Sequence, residues 1–245
     1  MKTKNIFLSA TILFMTFLCS SCIFDFNVIT GKGNVVTETR SAKDFTAIEL
    51  KTGANMEIVK GNIFNVSVTD YENLVKYLSV EVVDCHLIIK KDPKSVHIWN
   101  SKAKVVVTMP DPLYSLQLSG SGNLNVLSAF HDLQLLLLSG SGNIGLRSDC
   151  QLNKLEANIS GSGNINATGN LTVQNLSTRI SGSGNIHLSQ MKAKDADCSI
   201  SGSGKMYLFI VDNLDAHISG SGNIIYSGTP KVNSHISGSG NVYKN

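Results

Sequence analysis

From about residue 115 to the end of the chain, apolar and polar residues alternate in short runs, and the pattern recurs about every 20 residues. Each run is broken by the motif Ser-Gly-Ser-Gly-Asn, or by Ser-Gly-Ser-Gly-Lys in one copy. The seven copies are spaced 20, 21, 21, 20, 18 and 18 residues apart and begin at Ser119, Ser139, Ser160, Ser181, Ser201, Ser219 and Ser237. A period near 20 indicates stacked repeats, each of them one supersecondary unit that cannot bury its apolar face alone.

The residues on either side of the motif predict β-strands. The position before each motif carries a large aliphatic residue: Leu118, Leu138, Ile159, Ile180, Ile200, Ile218 and Ile236. The first position after each motif is also apolar: Leu124, Ile144, Ile165, Ile186, Met206, Ile224 and Val242. The positions between the inward residues are mostly polar. Alternation with a period of two is typical of a strand with one face in the core and the other in water.

The motif joins two such strands, and its paired glycines predict a tight corner. Glycine lacks a Cβ and adopts φ > 0 without a clash, so we expect positive φ at these corners. The paired glycines are Gly120, Gly122, Gly140, Gly142, Gly161, Gly163, Gly182, Gly184, Gly202, Gly204, Gly220, Gly222, Gly238 and Gly240.

The residue that closes each motif predicts a ladder along the stack. If the corners stack at one per coil, its side chains lie roughly 4.8 Å apart and can hydrogen-bond to one another. The rungs are Asn123, Asn143, Asn164, Asn185, Asn223 and Asn241, and Lys205 interrupts them. The sequence leaves open whether a full coil holds one motif or two.

We therefore predict an all-β fold, a right-handed parallel β-helix or solenoid with an irregular N-terminal β cap. Residues 30–35 (TGKGNV) and 52–56 (TGANM) echo the motif, and the echo is lost between Gly61 and Pro110. Strands are still predicted there at 64–69, 78–83, 86–89 and 103–109, with a helical turn around 71–77. The predicted boundaries are 41–118 for the irregular β part and 119–245 for the SGSGN-repeat solenoid.

The first 22 residues predict export and lipid attachment. Lys2 and Lys4 precede an apolar run over 6–18, which is shorter than the roughly 20 residues of a spanning helix. The sequence CSSC follows at 19–22. We expect 1–21 to be a lipoprotein signal peptide, Cys22 to be acylated after the small residue Ser21, and 22–40 to be a lipid-anchored segment. Processing at Cys19 and plain secretion are the alternatives.

Composition excludes several classes of protein. With 42% hydrophobic and 16% charged residues, the chain is globular and not disordered. Its formal charge of +3 becomes 3 − 2 = +1 once Lys2 and Lys4 leave with the signal, so nothing indicates nucleic-acid binding. The remaining cysteines, Cys85, Cys150 and Cys198, have no close spacing and do not indicate a disulfide framework.

The chain resembles the family of auto-transporter adhesin head, or GIN, domain proteins. The resemblance lies in GKGNVVTETR at 31–40, VVVTMPDPLYSLQLSGSGN at 105–123, and the SGSGN series to the end. It implies a β-helix-like fold similar to that of pectin lyases, without recognised catalytic residues. It also implies a place on the surface of Gram-negative cells and a role in adhesion.

Two apparent motif matches do not predict a binding site. Gly140, Gly142 and Gly145 fit the dinucleotide fingerprint G-x-G-x-x-G, but that site needs a helix after the glycines, and none is predicted. Calcium-binding repeats use G-G-x-G-x-D, whereas these turns offer Asn or Lys. We predict no metal and no cofactor.

A polar patch is predicted on the strands that precede the last motifs. Stacking places Asp197 beside Asp215, and Ser199, His217 and His235 in one row. Paired carboxylates with imidazoles suit acid/base work on carbohydrate or a divalent ion. A solvated strand face explains them better, because no third strong ligand joins them and no inserted loop makes a pocket. No catalytic residue is therefore assigned.

A second exposed column follows the motifs and consists of amide and aromatic residues. Its members are Asn125, Asn166, His187, Tyr207 and Tyr243. Such a flat, rigid face suits carbohydrate, although ordinary strand propensity also explains it.

The sequence favours a lipid-anchored cell-envelope protein, placed in the outer membrane, that binds a glycan or a host or matrix ligand without catalysis. Many shallow polar rows would gain affinity through multivalency. A carbohydrate-active β-helix enzyme and an envelope scaffold that associates with copies of itself are the alternatives.

Overall fold

The structure, a computed structural model, describes residues 28–92 and 96–245, and within them it is a β-solenoid of about six turns. The predicted all-β solenoid with parallel coils of about 20 residues is confirmed. The predicted signal and the lipidation residue Cys22 lie outside the described residues. No helix in the described ranges has the length and apolar character needed to cross a membrane.

Nine strands of the described residues precede the repeat region, which begins at Ser115. They are β1 (Val28–Thr30), β2 (Val35–Arg40), β3 (Ala47–Lys51), β4 (Asn55–Lys60), β5 (Asn65–Tyr71), β6 (Leu78–Val83), β7 (His86–Lys91), β8 (His97–Trp99) and β9 (Lys104–Met109). A short 3₁₀ helix, Val75–Tyr77, lies between β5 and β6. The predicted strands and the helical turn of this region are present with end shifts of a few residues.

Twelve strands form the repeat region. They are β10 (Ser115–Leu118), β11 (Asn123–Val126), β12 (Leu135–Leu138), β13 (Asn143–Leu146), β14 (Cys150–Ile159), β15 (Asn164–Ala167), β16 (Leu171–Ile180), β17 (Asn185–Ile200), β18 (Lys205–Ile218), β19 (Asn223–Gly228), β20 (Lys231–Ile236) and β21 (Asn241–Lys244).

The register shows one motif per coil. Leu118 pairs with Leu138 in the strands before the motif, and Asn123 pairs with Asn143 in the strands after it. Both pairings are parallel and join positions one repeat apart. The question that the sequence left open is thus answered, because successive corners stack directly on one another.

The solenoid begins earlier than the first SGSGN. Strands β3 and β4 flank the corner at 52–54 and pair in parallel with β10 and β11, so the echo TGANM is a true coil corner. The echo TGKGNV at 30–35 is not, because β2 runs antiparallel to β5. The interpretation of 30–35 as a repeat of the motif was wrong, since β2 pairs with β5 and β5 belongs to the segment between β4 and β10, called the cap.

The segment between β4 and β10 covers the N-terminal end of the stack. Strand β7 pairs in parallel with β3, and β9 pairs in parallel with β4, which adds one layer on top of the first coil. Strand β6 pairs antiparallel with β7, and β5 pairs antiparallel with β9. The opposite end has no such cover in the described structure, since Ile236 is 44% exposed where its counterpart Ile218 is 2% exposed.

The motif glycines are required by close stacking and not by positive φ. Positive φ occurs among the described glycines only at Gly33 and Gly228, so the expected φ > 0 at the corners was wrong. A Cβ added at Gly182 would lie 2.1 Å from the carbonyl oxygen of Gly161, and one at Gly184 would lie 2.1 Å from that of Gly163. At this separation no Cβ fits at Gly182 or Gly184.

Candidate functional site

The asparagines that close the motifs are hydrogen-bonded in a row. The side-chain amide of Asn143 donates to Oδ1 of Asn123 at 2.7 Å, and the amide of Asn164 donates to Oδ1 of Asn143 at 2.8 Å. Asn185 donates to Asn164 at 3.0 Å. The first rung is Asn55, whose Oδ1 accepts from Asn123 at 2.9 Å. Sequence reasoning left Asn55 out of the ladder, although the TGAN echo marks it.

Lys205 divides the ladder in two. Its backbone N–H donates to Oδ1 of Asn185 at 3.0 Å, and its side chain adds no rung. Beyond it, the amide of Asn241 donates to Oδ1 of Asn223 at 3.4 Å and its backbone N–H donates to the same oxygen at 3.0 Å.

The polar patch before the last motifs is assembled but shallow. The register places Asp197 beside Asp215, and His217 beside His235. Nε2 of His217 lies 3.2 Å from Oδ1 of Asp215, and the two imidazole rings stack with centroids 5.1 Å apart. Among the described residues, no group of three or more His, Cys, Asp and Glu side chains is arranged to hold a metal ion.

A deeper groove lies at the other end of the molecule. It has a volume of about 1070 Å³ and separates the cap residues 97–104 from the first coils of the stack. The coil side consists of corner residues Asn55, Asn123 and Asn143 and of outward residues Asn125 and Asn166 of the strands that follow the corners. Sequence reasoning did not predict this groove, which exists because the segment between β4 and β10 folds over the first coils.

The wall of the groove is held by a buried carboxylate. Asp70, at the end of β5, is only 1% exposed. Its oxygens accept hydrogen bonds from the hydroxyl of Ser101 at 2.6 Å and from the backbone N–H groups of Lys102 and Tyr71, each at 2.8 Å. A buried carboxylate is stable only when its oxygens accept hydrogen bonds, so these bonds fix residues 101–102, which lead into β9, against β5.

Basic side chains line the groove. Nζ of Lys104 lies 2.9 Å from the carboxylate of Glu57, and Nζ of Lys102 lies 5.6 Å from the centre of the Tyr71 ring. On the coil side, Nε of Arg147 donates to Oδ1 of Asn125 at 2.9 Å.

Gly145 gives Arg147 its position. The outward column of the strands after the corners carries a side chain at Asn125 and at Asn166, but a Cβ at Gly145 would lie 2.7 Å from Oδ1 of Asn125 and 3.5 Å from Nε of Arg147. The third glycine of the apparent dinucleotide fingerprint therefore clears the space into which the arginine folds. Strand β13 and not a helix contains it, so the phosphate-binding geometry is absent.

Further along the same column, aromatic rings replace the amides. His187 and Tyr207 stack in parallel with centroids 4.7 Å apart, and burial lowers the pKa of His187. Tyr243, in the last coil, is 50% exposed. The column thus continues from the groove as amide and aromatic side chains as far as Tyr207, and the buried Ile225 separates it from Tyr243.

Two of the three described cysteines, Cys150 and Cys198, are buried thiols. Burial raises the pKa of Cys198 to about 12 and also raises the pKa of Cys150, whose Sγ lies 3.7 Å from Nδ1 of His131. A raised thiol pKa disfavours the thiolate, which is the nucleophilic form. Cys85 is exposed on the turn between β6 and β7.

These features define the chain as a parallel β-solenoid with a cap that forms a polar groove against its first coils. It belongs to the family described as "Putative auto-transporter adhesin, head GIN domain", whose model matches residues 44–230. The resemblance that the sequence motifs indicated is confirmed. The family places the protein at the cell surface or in the envelope.

Solved structures share the fold along most of the chain. A "putative adhesin" from Bacteroides fragilis has a TM-score of 0.81 and 24% identity, over 89% of this chain and 100% of that one. A "putative lipid binding protein" from Parabacteroides distasonis has a TM-score of 0.76 and 29% identity, over 89% and 99% of the two chains. No curated protein matches the sequence.

Proposed function

We propose that the chain is an outer-membrane lipoprotein, anchored through Cys22, that acts as a non-catalytic adhesion or binding module for a glycan or matrix ligand. The observation that carries the proposal is the groove beside a rigid polar face. Ladder hydrogen bonds and stacked corners fix the amides of this face in place. The surface is therefore preorganised, and little conformational entropy is lost when a ligand binds.

The carboxylates of the groove support binding and not acid/base catalysis. Both oxygens of Asp70 are occupied by donors of the chain, and Glu57 is paired with Lys104. A general acid or base must reach the substrate with a free proton or lone pair. The patch with Asp215 and His217 is exposed on a different strand row and has no enclosing wall.

The adhesin family supports placement in the envelope, and the export signal predicted at residues 1–21 agrees with it. The lipid-binding description of the Parabacteroides distasonis protein concerns that protein. In this chain, the interior of the described coils is filled by aliphatic side chains such as Leu136, Ile165 and Leu188, all fully buried. The groove, in contrast, is lined mainly by polar residues, which suits a hydrophilic ligand.

The test compares cells that express the parent chain with cells that express Cys22→Ala. We expect parent cells to bind surfaces coated with glycans or matrix proteins and to release no sugar from them. We expect Cys22→Ala to leave the membrane fraction, because one acylated cysteine is the anchor, and to abolish cell binding. Cys85→Ala, at an exposed cysteine of the folded part, is the matched control and should behave like the parent.

Three results would contradict the proposal. Failure of the parent cells to bind any coated surface would remove the adhesion function. Persistence of Cys22→Ala in the membrane pellet after a carbonate wash would show that the anchor lies elsewhere. Release of sugars by the parent, lost when Asp197, Asp215, His217 and His235 are changed together to Ala, would show an enzyme.

A further inference from the structure

The charges of the groove are unbalanced. Its lining includes Lys91, Lys102, Lys104 and Arg147 against Glu57 and Asp70, which gives 4 − 2 = +2 with His97 neutral. The mature chain as a whole carries only 3 − 2 = +1, so the excess of positive charge is local. A cleft lined by one sign of charge attracts ligands of the opposite sign.

Two of the cations are available to a ligand. Arg147 is exposed, and only its Nε is engaged, so its two Nη groups have no partner among the described residues. Lys102 is exposed and contacts the Tyr71 ring, with no carboxylate partner in the described ranges. An arginine held by one nitrogen can present its remaining N–H groups as a fork to a carboxylate or sulfate.

The amides of the groove recognise a different chemistry. Asn125 and Asn166 are half-buried members of the outward column, with Gly145 between them, and each amide can both donate and accept a hydrogen bond. Sugar hydroxyls have the same double capacity. Neighbouring coils are spaced roughly 4.8 Å apart, which is comparable to the length of one pyranose residue in an extended chain.

We propose that the groove binds an anionic polysaccharide, with its acidic groups held by Arg147 and Lys102 and its hydroxyls held by Asn125 and Asn166. This rests on the proposed function and names the ligand class of the same surface. Nucleic acid fits less well, because no Phe, Tyr or Trp side chain lines the described groove to stack with bases.

The chain contains a built-in reporter for the test. Its single tryptophan, Trp99, is 71% exposed and lies in β8, whose neighbouring residues His97 and Ile98 line the groove. Full-length chain in mild detergent would be titrated with hexasaccharides of galacturonic acid, of mannuronic acid and of a sulfated disaccharide repeat, with Trp99 fluorescence as the readout. The methyl esters of the two uronates are the matched neutral ligands.

We expect at least one acidic hexasaccharide to change the Trp99 fluorescence and its neutral counterpart to bind about tenfold more weakly or worse, because charge-assisted bonds are lost. Arg147→Gln should weaken binding by about tenfold for the same reason. The control is Arg179→Gln, an exposed arginine in β16 on the row that precedes the motif, and it should bind like the parent.

Several results would overturn the inference. They are no response to any acidic hexasaccharide, equal binding of the esters, equal loss in Arg147→Gln and Arg179→Gln, or a response to anionic phospholipid vesicles in place of the sugars. Cell adhesion distinguishes failure of this inference from failure of the proposed function. If Arg147→Gln cells still adhere like the parent, adhesion stands and this groove assignment falls, whereas a parent that does not adhere removes the function itself.

Discussion

Single residues decide how closely the coils can approach one another. From the second SGSGN corner onward, the two motif glycines lie against the carbonyl groups of the glycines one coil earlier. The backbone N–H groups of Ser183 and Gly184, for example, donate to the carbonyl of Gly161 at 3.2 Å each. The corner is therefore a backbone-to-backbone contact. A methyl group would break hydrogen bonds of two coils at once.

We expect Gly182→Ala to lower the free energy of unfolding by about 2 kcal/mol or more, because its Cβ would lie 2.1 Å from a hydrogen-bonded carbonyl oxygen. Gly53→Ala is the matched control, since its Cβ would meet only Oγ of Ser121 at 3.1 Å. Urea unfolding of both variants measures the difference. Equal stability of the two would mean that the corners are looser than described.

The elements that local pattern determines are predictable from the sequence. The alternation of residues such as Ile159 and Ala157 with polar neighbours defines strands, and the recurrence of the motif defines the coil. The corner glycines were predicted at the right positions but for the wrong reason. Glycine permits both positive φ and close approach of two backbones, and the sequence does not distinguish the two. Only the register shows that Gly182 lies against Gly161.

The groove was beyond sequence reasoning. Its walls come from residues far apart in the chain, such as Lys102 and Arg147, which line the same groove because the cap folds back over the first coil. The signals that were present are the loss of the repeat between residues 61 and 110 and the lone Gly145 in a column of side chains. Neither signal predicts a groove unless the pairing of the strands is known.

At the scale of elements, the asparagine ladder links strands of successive coils along one edge. Each rung inside it accepts a bond from the next coil, and Lys205 leaves Asn185 and Asn223 without a side-chain link between them. The interruption falls where β17 and β18, the two longest strands, pair with each other. Their extensive ladder of backbone bonds keeps the stack continuous across the gap.

We expect Lys205→Asn to raise the free energy of unfolding by about 0.5–1.5 kcal/mol, because an amide at this position completes a rung with Asn185 and with Asn223. Lys205→Ala removes the same lysine without adding an amide and should give no gain. Urea denaturation midpoints of the three proteins provide the comparison. A gain in the alanine variant equal to that in the asparagine variant would show that removal of the lysine, and not a new rung, is responsible.

At the scale of the whole molecule, the proposed anchor residue Cys22 is close in sequence to β1, and β1 pairs with β8 of the cap. Only five residues lie between Cys22 and Val28, where β1 begins, and the six steps from Cys22 to Val28 span at most about 20 Å. A chain anchored at Cys22 therefore holds the cap and its groove close to the membrane, with the remaining coils free to extend the polar face. This arrangement suits a ligand that lies near the envelope.

The central claim is that an acidic polysaccharide is held intact in the groove. Hydrogen–deuterium exchange of the full-length chain, with and without the acidic hexasaccharide that responds best, tests it most directly while the recovered sugar is checked for cleavage. We predict slower exchange at 97–104 and 143–147, no change at 215–218 and 233–236, and uncleaved sugar. Protection confined to the patch with Asp215 and His217, or cleaved sugar, would contradict the account.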